Sequence, residues 1–236
     1  MNLSILKFSV ALVLGACLTA RAGLYSYTGS ARDIPDGSLE GISSQITVNG
    51  ASSSLTDITV HVSVSGGYNG DLYAYLSYNG ALVPLFNRVG VGTGSALGYS
   101  DSGFNNLTLR SSGSDVHDYL LTQNPHGGAL TGTWKADGRV LSPLSTPGSY
   151  DADGTLTLNG TFHGMDPNGS WTLFFADVSA GGGQARLDGW ALEISSVPEP
   201  VNMALGCFGG VFLAVTLLRI GRGRRLLPWR LARKRD

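Results

Sequence analysis

Cysteine is missing from the long middle of this chain. Its two cysteines, Cys17 and Cys207, both lie in apolar terminal stretches. That excludes a disulfide framework, a cysteine-held zinc and a cysteine nucleophile between Gly23 and Val197. Basic residues are scarce there as well: six Lys or Arg stand against fifteen Asp or Glu, a net charge of −9. So acidic a body lacks the positive surface that phosphate backbones require, and no nucleic-acid partner is expected. Charged residues make up only 14% of the whole chain, without an Ala/Glu/Lys/Leu/Arg-rich helical bias. A coiled coil or long helical bundle is therefore excluded. There is no Gly-X-Y period, which removes collagen, and no internal repeat. What is abundant is glycine, 34 of 236 residues, beside a 42% hydrophobic content. The chain is too apolar for disorder, and the balance predicts one turn-rich all-β domain with added segments at both ends.

The middle reads with period two. Ile58, Val60, Val62 and Val64 alternate strictly with polar residues, as do Leu72, Ala74 and Leu76. Trp171, Leu173 and Phe175 form one face of a later run, and Trp190, Leu192 and Ile194 one face of the last. Leu156 and Leu158 alternate with Thr157 and Asn159 and predict a further strand. Alternation of this kind marks half-buried strands. Turn signals punctuate them, among them Asn49-Gly50, Asn79-Gly80, Asn159-Gly160 and Gly181-Gly182-Gly183. A single twisted sheet would leave an apolar face bare, so two packed sheets are expected. Residues 90–144 are less regular. Gly90-Val91-Gly92-Thr93-Gly94 misses the dinucleotide-binding spacing, and no βαβ unit surrounds it.

Several motifs occur in a telling order: Ile34-Pro35-Asp36-Gly37, Gly70-Asp71-Leu72, Asn87-Arg88-Val89-Gly90, Gly169-Ser170-Trp171-Thr172-Leu173 with Asp177 after it, and Gly189-Trp190-Ala191-Leu192. Together they resemble the P domain (P/Homo B domain) that follows the subtilisin-like catalytic domain of proprotein convertases and many bacterial secreted proteases. The resemblance covers about residues 26 to 195. Where that family often carries His before Gly-Asp-Leu, this chain has Ser65-Gly66-Gly67-Tyr68-Asn69. The resemblance implies a jelly-roll β-sandwich similar to galactose-binding domains. It covers a non-catalytic accessory domain alone, so no enzyme activity is expected.

Residue chemistry gives the same expectation. The four histidines, His61, His117, His126 and His163, fall on a strand's polar face, in loops and after a strand end. No H-E-x-x-H occurs, and Gly98-Tyr99-Ser100-Asp101-Ser102-Gly103 misses G-x-S-x-G by one residue. The acidic residues Asp36, Asp71, Asp101, Asp115, Asp118, Asp177 and Asp188 are spread over loops, where Asp is either a turn former or a calcium ligand. The P-domain resemblance implies a structural calcium, and Asp71 and Asp177 are the candidates because they stand in its motifs. Tyr73, Tyr75 and Tyr78 lie close together and could stack on sugar rings or simply favour a strand.

The ends read as addresses. Lys7 precedes an apolar run of eleven residues, Phe8 to Leu18, and then the small-x-small site Ala20-Arg21-Ala22. That run is about 16 Å of helix, too short for a membrane core of ~30 Å, so residues 1–22 are expected to be a signal peptide, exported by the Sec route and cut by signal peptidase before Gly23. Leu14-Gly15-Ala16-Cys17 offers a competing lipobox, with Cys17 lipidated. At the other end, residues 197–236 hold Pro198-Glu199-Pro200, an apolar stretch from Val201 to Leu218, and eight of the sixteen basic residues in the last 18 positions. The apolar stretch is about 27 Å of helix, just enough to span a membrane, and the arginines place its end in the cytoplasm. This order resembles the PEP-CTERM sorting signal of Gram-negative bacteria, which implies processing by exosortase.

The expectation is a non-catalytic protein with a P-domain-like sandwich over 23–196. It would pass through an inner-membrane-anchored intermediate to the cell surface or extracellular matrix. Alternatives are a glycan-binding module facing extracellular polysaccharide, and an accessory domain acting with a separate secreted subtilisin-like protease.

Overall fold

In the computed structural model, residues 21–26, 30–198 and 200–223 are described. The alternating stretches become strands of two sheets. The larger has the order β1-β10-β4-β7-β8, built from Arg21–Ser26, Ala185–Val197, Ser54–Ser65, Phe104–Asp115 and Thr133–Lys135; β2, Arg32–Ile34, also pairs with β10. The smaller has the order β3-β9-β5-β6, from Ser38–Val48, Gly169–Asp177, Leu72–Tyr78 and Ala81–Asn87. All pairings are antiparallel except β7 with β8. The expected two-layer all-β architecture is thus present.

Alternation fixes the register. Ile58, Val60, Val62 and Val64 of β4 face Trp190, Leu192 and Ile194 of β10 on one inner surface, all buried. Leu72, Ala74 and Leu76 of β5 sit beside Trp171, Leu173 and Phe175 of β9 on the other. A one-residue slip would turn each of these sets to solvent, and each large side chain contributes about 1.5–3 kcal/mol by its burial. Two contacts tie the layers together. The Phe86 and Phe104 rings stack 4.2 Å apart, and Trp190 Nε1 donates to Ser44 Oγ at 2.6 Å. The β5–β6 hairpin turns on Asn79-Gly80, both with positive φ (49° and 80°), as the dipeptide predicts.

One expected strand is instead a helix. Residues Leu158–Phe162 form a short helix, α1, because the Thr157 hydroxyl accepts the Gly160 N–H at 3.0 Å and caps it. The alternation at 156–159 is too short to compete with that cap.

The body, Ala20–Val197, is one compact unit, and the helix that follows belongs to a separate one. That helix, α2, runs Pro200–Gly223 over 24 residues. A helix is therefore present over the expected 201–218. Several of its side chains, those of Val201–Met203, Cys207 and Leu218 among them, lie outside the described residues. Among the described residues no helix is long and apolar enough to cross a membrane, so the expected span is not found as such.

Candidate functional site

Two groups of buried charge lie in the body. The first gathers at the end of the smaller sheet where β9 stops and β5 starts. Asp177 closes β9 with Leu72 of β5 as one register partner and Ser38 of β3 as the other. It therefore sits between two strands, fully buried at 0% exposure. Asp71 precedes β5 in a 3-10 turn, Asn69–Asp71, and is 5% exposed. Its carbonyl accepts the Val178 N–H at 2.8 Å, which ties the two acidic positions together. Asp36 lies in the exposed turn before β3, where its Oδ1 accepts the Gly181 N–H at 3.3 Å. The wall opposite Asp177 is the Gly66-Gly67 turn. A Cβ on Gly67 would stand 2.7 Å from Ala185 Cβ and 3.5 Å from Asp177 Oδ2, and its φ is +67°. Only glycine lets the backbone lie this close.

Neither carboxylate oxygen of Asp177 has a hydrogen-bond partner. Burial raises its pKa to about 7, and the charges of Asp71 and Asp36 add to the effect. The Ser179 backbone N–H is directed at it and partly offsets this, short of full hydrogen-bond geometry. Burial also raises Asp71, against the opposing charge of Arg88, whose Nη2 is 3.9 Å from Asp71 Oδ1 and whose Nε donates to the Gly70 carbonyl.

The second group is fully paired. His117, 2% exposed, bonds Asp137 Oδ2 through Nδ1 at 2.8 Å and the Val91 carbonyl through Nε2 at 2.9 Å. With acceptors at both nitrogens, the ring is placed to donate twice, as the imidazolium does. Burial alone would lower its pKa, but the hydrogen bond and charge of Asp137 outweigh that and raise it. Asp137 Oδ1 accepts from Arg139 Nη1 at 3.3 Å, and the same guanidinium reaches Asp115 Oδ2 at 3.1 Å and the Tyr150 carbonyl at 3.1 Å.

The tyrosines divide. Tyr73 and Tyr75 are half-buried on the outer face of the smaller sheet, with their rings 5.9 Å apart. Tyr75 stacks on Phe174 at 4.9 Å. Tyr78, by contrast, is on the inner side, stacked on Trp171 at 4.1 Å, with its hydroxyl donating to the Asp166 and Asn168 carbonyls. Strand parity puts it opposite the other two, so its ring is not available to a sugar. A shallow cleft of about 290 Å³ opens beside Tyr75, lined by Ser77, Tyr78, Asn79, Leu82, Ser170 and Thr172.

His61 is on the polar side of β4, bonded to Thr108 Oγ1 at 3.1 Å and 3.5 Å from Glu193. His126 and His163 are exposed, the latter after α1 and not after a strand. Ala22 lies within β1, so a cut before Gly23 shortens that strand by two residues. Pro198 follows β10, and Pro200 opens α2. Ala20, Cys17, Glu199 and the basic tail from residue 224 lie outside the described residues. Among the described residues no three His, Cys, Asp or Glu side chains converge closely enough to hold a metal by themselves.

Sequence reasoning missed Asp137, Arg139 and Phe174. Phe174 was within reach, because it alternates with Leu173 and Phe175. Asp137-Gly138-Arg139 carries no periodic signal.

No family model and no curated protein matches the chain. Two crystal structures resemble it weakly. The complex of Aeromonas sobria serine protease with the chaperone ORF2 does so at 16% identity and a TM-score of 0.42, over 80% of this chain and 30% of that one. The A. sobria serine protease does so at 19% identity and a TM-score of 0.38, over 76% and 26%. This chain thus spans less than a third of either protein, and likenesses at that level say nothing of what it does.

Proposed function

We propose that this is a non-catalytic, exported surface or extracellular-matrix protein. Its body is a P-domain-like jelly roll, and its C-terminal segment is a sorting signal processed by exosortase. The observation that carries the non-catalytic reading is His117. A buried His–Asp pair is the natural start of a hydrolytic site, but here the second ring nitrogen is bound to a main-chain carbonyl. A base in a Ser-His-Asp arrangement needs that nitrogen free for a nucleophile's proton. The terminal motifs support the route: export through the signal peptide and release near Pro198-Glu199-Pro200. Mass spectrometry of the mature protein from exosortase-positive and exosortase-deleted cells tests the route. A chain beginning at Gly23 and cut near Pro-Glu-Pro only in the former is expected. An intact tail in both, or a lipidated Cys17, overturns it. Labelling of the purified chain by a serine-reactive phosphonate would overturn the non-catalytic reading, and co-purification with a secreted protease would turn it toward an accessory role.

A second reading, glycan binding, is favoured by the outer face of the smaller sheet. Residues 42–48, 72–78, 81–87 and 169–176 include no charged side chain. They present Tyr73, Tyr75 and Phe174 amid the hydroxyls and amides of Ser77, Thr172 and Gln45. Aromatic rings with neutral hydrogen-bonding groups suit an uncharged polysaccharide. Retention on a neutral polysaccharide column, lost at least about 10-fold in a Tyr75→Ala/Phe174→Ala variant, is the expected result; one lost anchor of about 1.4 kcal/mol suffices for that factor. Equal retention of the variant would dismiss it.

A further inference from the structure

We infer that Asn49 and Asn79 are modification sites, at which the chain loses ammonia unaided and becomes Asp or isoAsp, while the same dipeptide is protected at three other places. This stands apart from the proposed function and does not depend on it.

The chain carries five Asn-Gly dipeptides, at 49–50, 69–70, 79–80, 159–160 and 168–169. They share one latent reaction. The main-chain nitrogen of the glycine attacks the side-chain carbonyl carbon of the asparagine. A C–N bond forms and closes a cyclic imide. The bond from that carbon to the side-chain nitrogen breaks, and the glycine's proton leaves with that nitrogen as ammonia. Water then adds to either imide carbonyl and opens the ring, giving Asp or, with the main chain rerouted through the side chain, isoAsp. Glycine favours the attack because no Cβ shields its nitrogen. With the dipeptide held constant, the fold decides which copies react. The side-chain amide has to swing onto the glycine nitrogen, and that nitrogen has to be free.

Three copies are locked. Asn69 is fully buried; its Nδ2 donates to the Tyr119 hydroxyl at 3.2 Å, and its Oδ1 accepts the Gly103 N–H at 2.8 Å. The Gly70 N–H is taken up by the Tyr99 carbonyl at 2.8 Å. Asn159, in α1, accepts the Ile58 N–H at 3.1 Å and donates to Asp57 Oδ1 at 2.6 Å. The Gly160 N–H is the one that Thr157 Oγ1 accepts. Asn168 bonds both the N–H and the carbonyl of Ala51, at 3.0 and 2.9 Å, and donates to Asp166 Oδ1 at 2.6 Å.

Asn49 and Asn79 have none of these restraints. Both are exposed, and neither side chain has a hydrogen-bond partner among the described residues. A Cβ on Gly50 or Gly80 would meet nothing within 4 Å, so the swinging amide and the incoming water have room. Asn49 follows β3 and Asn79 follows β5, both at the pole of the smaller sheet where β9 begins. Asn79 is also on the rim of the cleft beside Tyr75. The reaction therefore places new carboxylates at one end of the uncharged outer face.

The test follows the full-length chain in detergent, held in mildly alkaline buffer below its unfolding temperature. Peptide mass spectrometry reads the small mass gain from amide to acid at each site, and labelling by an isoaspartyl methyltransferase reads the isoAsp. Asn49 and Asn79 are expected to convert at least about 10-fold faster than Asn69, Asn159 and Asn168, a factor that one protecting hydrogen bond of about 1.4 kcal/mol supplies. In concentrated urea the five rates should converge, since the fold alone separates them. The double variant Asn49→Gln/Asn79→Gln should stay a single species on anion exchange while the wild type turns acidic. Conversion at a locked site as fast as at the exposed pair, an exposed pair that stays intact, the same ranking in urea as in the native chain, or a double variant that turns acidic as fast as the wild type overturns the assignment.

Discussion

The two buried clusters use the same residue types to opposite ends. Around His117, two cations and two carboxylates alternate, Asp137 lies between His117 and Arg139, and every charge has an opposite neighbour at hydrogen-bond distance. Around Asp177, carboxylates face one another and the nearest guanidinium stops short. The first cluster is complete and holds loops in place. It joins residues on either side of β8 to the turn that carries Val91 and to the 3-10 segment at Tyr150. The second is incomplete, since neither oxygen of Asp177 has a hydrogen-bond partner. A buried charge is informative through what it lacks rather than through its presence.

Substitutions can break this contrast. The largest effect is expected from Asp137→Ala, which strands His117 and Arg139 as buried cations. Removing one partner of a buried pair costs about 3–5 kcal/mol, measurable by urea unfolding with tryptophan fluorescence. A loss below about 1 kcal/mol would mean that the network is not the structural clamp described.

Next comes His117→Gln, with an expected loss of about 1–3 kcal/mol from one charged hydrogen bond. It also carries a pH signature. The folded-state pKa of His117 is raised above its ordinary 6.5. Its contribution is therefore complete below about pH 6.5 and disappears as pH climbs through the raised value. The wild type should lose more stability than the variant between about pH 6 and pH 9, in urea titrations at each pH. Parallel pH profiles would show that the ring is not charged.

In the other cluster the sign reverses. Asp177→Asn should unfold at or above the wild-type urea midpoint, so that deleting a charge harms one cluster and relieves the other. The smallest effect is expected for Glu193→Gln, which loosens the partly exposed pair with His61 and should cost less than about 1 kcal/mol.

Much of the sheet structure was legible because period-two alternation and Asn-Gly turns are local signals, as with Ile58–Val64 and Asn79-Gly80. Where a local signal of another kind intervened, the strand reading failed, as at Thr157, whose hydroxyl caps a helix. The same alternation that placed Tyr73 and Tyr75 outside puts Tyr78 inside, a consequence that sequence proximity concealed. Asp71 and Asp177 were chosen for the motifs around them, yet what singles out Asp177 is its missing partners, a property of three strands and a turn brought together from distant positions. Asp137 and His117 are 20 residues apart and bridged by no pattern. Pairings of that kind exist only once the chain has folded.

The pairing of β1 with β10 puts Arg21 beside Ser196, so the stretch entering the sandwich and the stretch leaving it share one pole. Ser52, in the turn at that pole, also bonds Ser196. Asp177 closes β9 at the opposite pole, at the far end of that nine-residue strand from Gly169, roughly 26 Å away at about 3.3 Å per residue. Both ends of the sandwich's chain therefore leave from one pole, and the acidic tip formed by Asp177 and Asp71 occupies the other.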